Sequence, residues 1–464
     1  MRFGGKSIVI GALSALTGLT LLAGGGSSAD AQSSGARIEG VATCAGSTCH
    51  GRAEGNGEAV RQDEIATWQE PSAASGAHSR AYAVLSSPRG RQIITSLKNA
   101  GNYKDSDCLG CHTTYEPGVA KGPRYQITDG VGCESCHGPA SGWLASHYVL
   151  SDGARGQVTH ESNVARGLKR LTNPQVRAGV CLDCHYGSKD TGQFVTHAMM
   201  AAGHPRVSFE LDLFSALQQH HDEDADYTGL RGKPRTDSVR LWAVGQAEAV
   251  ARATDLFARP DFGTKGIFPQ YYFYDCHSCH REITDGPQRR LTFETNPGRP
   301  IPFGQAPFND ENIIMLSSVA RSLAPSRASA FDAASKDFHR AMGQGRAEAA
   351  SAAQRLRGEA AALSGALAGR SYSGNDAFTV IQTISNTATA PRFTDYSGSA
   401  QAVMAVDTLL NALVREGRIT VGAAASIRGD INVAYAAVRS PEGFKPAQFR
   451  AALGRATNAI GRLR

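Results

Sequence analysis

All ten cysteines of the chain fall into five pairs, and in every pair the second cysteine is followed at once by histidine. The pairs are Cys44 and Cys49 before His50, Cys108 and Cys111 before His112, Cys133 and Cys136 before His137, Cys181 and Cys184 before His185, and Cys276 and Cys279 before His280. Histidine occupies 14 of 464 positions, so five such placements by chance have odds on the order of 10⁻⁸. No cysteine is left over for a disulfide framework.

This spacing suits covalent haem c. Two thiols a short turn apart add across the two vinyl groups of one porphyrin, and the next residue's imidazole projects beneath the ring to ligate iron. A tetrahedral zinc site requires no histidine locked behind the second thiolate, and an oxidising compartment disfavours thiolate–zinc sites. The reading is therefore five haem c groups, held by the ten cysteines, with His50, His112, His137, His185 and His280 as proximal ligands. Four residues separate Cys44 from Cys49 where the other pairs enclose two. Five porphyrins within residues 44–280 leave little chain to wrap each one. Stacked porphyrin faces then replace apolar side chains, in keeping with 7% aromatic residues, and the haem-free chain is expected to be largely unfolded.

Compartment is read from the N-terminus. Arg2 and Lys6 precede an apolar run from Ile8 to Ala23, and Ala29-Asp30-Ala31 offers small residues for cleavage before Gln32. This predicts a signal peptide over 1–31 and a mature chain exported to the periplasm or beyond, with no stable membrane span. The run holds no cysteine for lipid attachment. A net charge of +6 over this length is too weak a field to argue for nucleic acid.

Nine histidines lie outside the proximal positions: His78, His147, His160, His197, His204, His220, His221, His277 and His339. Methionine is scarcer, at six. Met199 and Met200, the ones near a motif, read as packing residues, so mostly bis-histidine iron is expected, of low potential and suited to passing electrons. His160 is the weaker candidate ligand. His220 and His221 begin a charged loop, His277 reads as a bystander inside its own motif, and His339 as solvent-exposed.

The haem segment resembles the multihaem cytochromes related to tetrahaem cytochrome c-554, which share a fold core with pentahaem nitrite reductase and hydroxylamine oxidoreductase. The resemblance covers roughly residues 40–190. It rests on the order of Cys44 to His50, Trp68, Ala77-His78, Asp107 to His112, Gly130 to Pro139, and His147 ten residues beyond His137. It implies that His78 and His147 are distal ligands. The stretch Val195 to Arg206 looks like a segment of longer relatives. It places His197 and His204 seven residues apart, near two helical turns, where both could face one side, and both are expected as distal ligands. The lysine often found in place of the proximal histidine in those nitrite reductases has no counterpart here. Tyr271, Tyr272 and Tyr274, which precede the fifth motif as a crosslinking tyrosine of the oxidoreductases might, read as packing residues.

The predicted fold is mainly α: a pentahaem cytochrome c domain with irregular haem-wrapping loops over 32–304, then an alanine-rich helical bundle over 305–464. The division rests on the proline-rich stretch Asn296 to Pro307 and on the absence of cysteine after Cys279. Apolar stripes predict helices over 208–219 and 239–257, and four more stripes in the tail start at Ile313, Val403, Ile427 and Phe449. Breaks are expected at 370–374 and 387–398. Residues 305–464 carry 18 basic and 12 acidic side chains, while haem propionates would make the other part acidic. The tail could thus dock on the haem part or on an acidic redox partner, or stand as a solvated appendage.

Function is read as electron relay between redox partner proteins. The competing reading is an oxidoreductase acting on a small nitrogen or sulfur compound at one five-coordinate haem.

Overall fold

The computed structural model describes residues 35–55, 62–148, 158–190, 192–218, 237–264, 270–280, 298–301, 305–390 and 395–464. The expected signal peptide, the His220–His221 loop and residues 302–304 at the expected division lie outside them.

The described chain is mainly helical, with short helices toward its N-terminus and long ones toward its C-terminus. The short series comprises α1 (Val41–Cys44), α2 (Glu64–Trp68), α3 (Pro88–Asn99), α4 (Asp105–His112), α5 (Cys133–His137), α6 (Leu144–His147), α7 (His160–Val164), α8 (Pro174–His185), α9 (His197–Ala201) and α10 (Leu211–Leu217). A two-residue parallel pair, β1 (Arg37–Ile38) beside β2 (Ala120–Lys121), ties the start of this region to its middle. Helices this short do not persist alone in water. Apolar burial is also sparse here, with Ile38, Val41, Leu97, Ala140 and Trp143 the buried apolar side chains before α8.

The long series comprises α11 (Ser238–Ala258), α12 (Glu311–Leu323), α13 (Pro325–Ala341), α14 (Arg346–Gly369), α15 (Asp376–Ala388), α16 (Tyr396–Arg415), α17 (Val421–Ala437) and α18 (Pro446–Gly461). It forms a helical bundle. Asp237 caps α11 by accepting from the Arg240 amide at 2.7 Å, and this helix is buried along most of its length. Its most extensive packing is against α14, whose inward face is built on Ala349, Ala352, Ala353, Leu356, Ala360 and Leu363. Alanines at helical spacing allow close approach of two axes. Gly245 of α11 has the same use toward α10, since a β-carbon there would sit 2.5 Å from Leu211 Cβ.

One apolar core runs from Ala178 and Leu182 of α8 through α11 to Ile460 of α18, crossing the proline-rich stretch. The C-terminal helices also hold α10 and the segment before it by polar contacts. Arg206 pairs with Glu311 at 2.6 Å, Gln401 donates to the Phe209 carbonyl at 3.0 Å, and Arg415 pairs with Asp212 at 2.9 Å.

Three expectations need correction. The helix expected over 208–219 is confined to Leu211–Leu217, because the Glu210 carboxylate accepts from the Asp212 and Leu213 amides and fixes the start there. His339 is buried rather than exposed, at 1%. Its ring nitrogens meet the Ser335 carbonyl at 2.7 Å and the Asp310 carboxylate at 2.8 Å, and a partner 29 residues upstream leaves no local trace in the sequence. His197 and His204 do not share a face. Helix α9 stops at Ala201, Gly203 takes φ +111°, and the Gly203 and His204 amides fold back onto Met200 and Met199 carbonyls.

Candidate haem centres

Helical geometry sets each two-residue motif. Cysteines at i and i+3 lie on one face, and the histidine at i+4 follows on the same side. Accordingly Cys108–His112 closes α4, Cys133–His137 is α5, and Cys181–His185 closes α8. The fifth motif is a single tight turn in which the His280 amide donates to the Cys276 carbonyl at 2.8 Å.

The first motif keeps this bond despite its two extra residues. The His50 amide donates to the Cys44 carbonyl at 3.1 Å, while Cys49 and Gly51 amides both donate to Gly46. The insertion is therefore absorbed in a turn about Gly46.

All ten cysteines are unbridged. Burial pushes the Cys136 thiol up to about 11 and the Cys181 thiol up to about 12. Among the described residues no three His, Cys, Asp or Glu side chains converge as a metal-holding group.

The histidines come together in twos. His50 faces His147, His78 faces His185, His112 faces His204, and His197 faces His280, each with ring centres 6.3 Å apart. Each pair joins one motif histidine to one from outside the motifs. Their interplanar angles are 9°, 72°, 89° and 36° respectively. Packing of bare rings would couple separation to angle. Two imidazoles on opposite sides of one metal behave differently, because both rings contain the nitrogen–metal–nitrogen axis, which fixes separation and leaves rotation free. With each nitrogen about 2.0 Å from the metal, the centres fall roughly 6.3 Å apart. Two imidazole donors at each of these sites, one of them following a cysteine pair, would suit the iron of a covalently held haem. The residues thus fit an iron porphyrin. Trp143 adds a polar feature, since its buried indole N–H, edge-on to His147 at 5.3 Å, has no acceptor among the described residues.

His137 closes α5, and its carbonyl accepts from the Lys169 amide at 3.0 Å. Side chains of different motifs are neighbours: Cys44 lies beside Cys133, and Cys111 beside Cys184. Near the second contact, Gly110 packs so tightly on Gly192, itself at φ +81°, that a β-carbon on Gly110 would lie 2.7 Å from the Gly192 carbonyl oxygen.

The remaining sequence candidates lie elsewhere. His160 is exposed at the start of α7 behind the capping box of Thr159. His277 bonds the Pro441 carbonyl at 2.7 Å beside the rings of Tyr396 and Phe444. Met199 is buried, its sulfur accepting from the Thr196 amide. Tyr272 is buried and donates to the Tyr186 carbonyl, Tyr274 makes an isolated bridge to Phe308, and half-exposed Tyr271 lies 5.2 Å from the His197 ring.

Sequence reasoning missed two carboxylates. Glu134, inside the third motif, accepts from the Glu39, Gly40 and Ala140 amides at 2.9, 2.7 and 2.7 Å, fastening the strand that leads into the first motif. Glu64 meets His50 Nδ1 at 2.9 Å, and its position on α2, 14 residues beyond His50, gave no motif to read.

Residues 43–138, which carry the first three motifs, match the family described as cytochrome c554 and c-prime. No curated protein and no solved structure matches the chain. Over residues 43–138 the chain is therefore similar to the cytochrome c554 and c-prime family.

Proposed function

We propose that this protein is an exported pentahaem cytochrome c that relays electrons between redox partner proteins through mostly bis-histidine irons. The carrying observation is the constant 6.3 Å separation of four imidazole pairs at four different ring angles. In this reading His50 and His147 share one iron, His78 and His185 a second, His112 and His204 a third, and His197 and His280 a fourth. His137 is the proximal ligand of the fifth. Bound haem supplies reversible one-electron chemistry at iron.

At the four paired sites the chain holds two imidazoles that would ligate iron, so little would rearrange when charge arrives or leaves. Backbone carbonyls orient several rings through Nδ1: Ala81 for His112, Leu144 for His147, Ser208 for His185 and Pro205 for His204. The closeness of Cys44 to Cys133 and of Cys111 to Cys184 supports neighbouring haem sites, as a relay requires. Among the described residues no helix is long and apolar enough to cross a membrane. We assign residues 1–31 to a signal peptide, 32–304 to the haem-bearing part and 305–464 to its helical support, which shares its core.

Intact-mass and low-temperature spin-state measurements on the purified protein test this. The expected result is a chain starting at Gln32 with five covalent haem additions and low-spin iron at the four paired sites. A mass equal to the polypeptide alone would overturn the relay. A high-spin haem that binds cyanide or nitrite would favour the competing reading of catalysis at an open iron.

A further inference from the structure

We infer that Glu64 is a tuning residue for the His50–His147 centre, making it the lowest in reduction potential of the four paired centres. This rests on the haem reading above. Four ligand rings direct Nδ1 at uncharged backbone carbonyls. His50 instead meets a carboxylate at 2.9 Å, and the Glu64 side chain is only 5% exposed. His280 also has a carboxylate neighbour, but Glu442 stands 3.6 Å away with both side chains more than half exposed, where water screens the charge.

A carboxylate accepting the Nδ1 proton raises the basicity of the nitrogen that faces the metal. Oxidised iron carries one more positive charge than reduced iron, so a more basic ligand and a nearby buried anion both favour the oxidised form. Adding one electron at this centre therefore becomes harder, with no proton or bond exchanged. Local structure holds the arrangement, since the Ile65 amide donates to the His50 carbonyl at 3.1 Å. Motif and helix are joined at two consecutive residues.

The ring geometry also labels this centre spectroscopically. Its planes are 9° apart while the other described pairs lie at 36° or more. Near-parallel ligand planes give a rhombic low-spin ferric resonance, distinguishable from the strongly anisotropic signals of crossed planes. The test is a redox titration of the haem-loaded full chain followed by electron paramagnetic resonance. In the unsubstituted protein the rhombic signal is expected to be the last of the paired-centre signals to be lost on reduction.

In Glu64→Gln, with haem number unchanged by mass, that signal alone is expected to shift at least tenfold in its reduction equilibrium constant toward the reduced form, or 59 mV for one electron. Glu64→Asp, which keeps the charge, is expected to restore most of the difference. An unmoved rhombic signal in Glu64→Gln, or an unsubstituted protein in which that signal is lost first, would overturn the role of Glu64. Absence of any rhombic low-spin signal from the unsubstituted protein would overturn the His50–His147 pairing itself, and so the reading beneath it.

Discussion

At the scale of single residues, the cysteine–histidine motifs were the most legible part of the chain. A cysteine pair and its following histidine are local, so spacing alone groups Cys108, Cys111 and His112. Which outside histidine stands across from each motif was not legible, because His78 meets the fourth motif and His204 the second, across more than ninety residues of chain. The supporting carboxylates were equally hidden, since Glu134 reads as an arbitrary filler of its motif until the three amides around it are seen. Replacing Glu134 with alanine would leave those buried N–H groups without their acceptor. Unmet buried donors cost about 1–3 kcal/mol each. Denaturant unfolding of haem-loaded Glu134→Ala is therefore expected to show a loss of about 3 kcal/mol or more, with Glu134→Gln between it and the unsubstituted protein.

Helices were legible where an apolar stripe runs their whole length. The stripe from Val239 to Phe257 becomes α11, Ser238–Ala258, and those starting at Val403 and Phe449 lie in α16 and α18. The chain also breaks between Gly369 and Asp376 and between Ala388 and Tyr396, close to the expected breaks. Polar burial was not legible, because it depends on partners from other elements. Around the start of α16, Asp395 faces Arg299 at 3.0 Å, and Arg299 bonds Asp310, which also receives His339. Burial pushes the Asp395 carboxyl up to about 7, with Arg299 opposing and Asp275 and Asp310 adding to the rise. Its folded value lies above the ordinary carboxylate value, so its contribution to stability is full at pH values below about 4 and is lost as pH rises through 7. Glu210 and Asp212, raised to about 8 and about 6 mainly by burial, act in the same direction. Thermal unfolding is expected at a higher temperature at pH 5 than at pH 8, and Asp395→Asn, which can still cap α16, should flatten part of that slope.

For the whole molecule, apolar burial is concentrated in α8 and the helices from α11 onward, while the motif-bearing segments before α8 contribute little. Haem attachment should therefore matter unequally, and the haem-free chain, expected from the sequence to be largely unfolded, should instead lose mainly its motif-bearing segments. A chain expressed without haem ligation is expected to keep the circular-dichroism signal of the long helices, while limited proteolysis cuts preferentially within residues 35–173, before α8. Full protection of that region in the haem-free chain would contradict the apportioning of the core.

The four histidine pairings also have a bearing on assembly. Drawn along the chain, the spans 50–147, 78–185 and 112–204 interlace, and 197–280 begins before the third has closed. Under this ligation scheme each iron is a clasp between distant stretches, restricting the unfolded chain much as a crosslink would. A nascent chain emerging from its amino end could acquire its first porphyrin early, yet would wait for residue 147 before that metal gained its second imidazole. The braid would tighten late and nearly all at once, and a polypeptide stopped short of residue 280 would leave the last clasp undone.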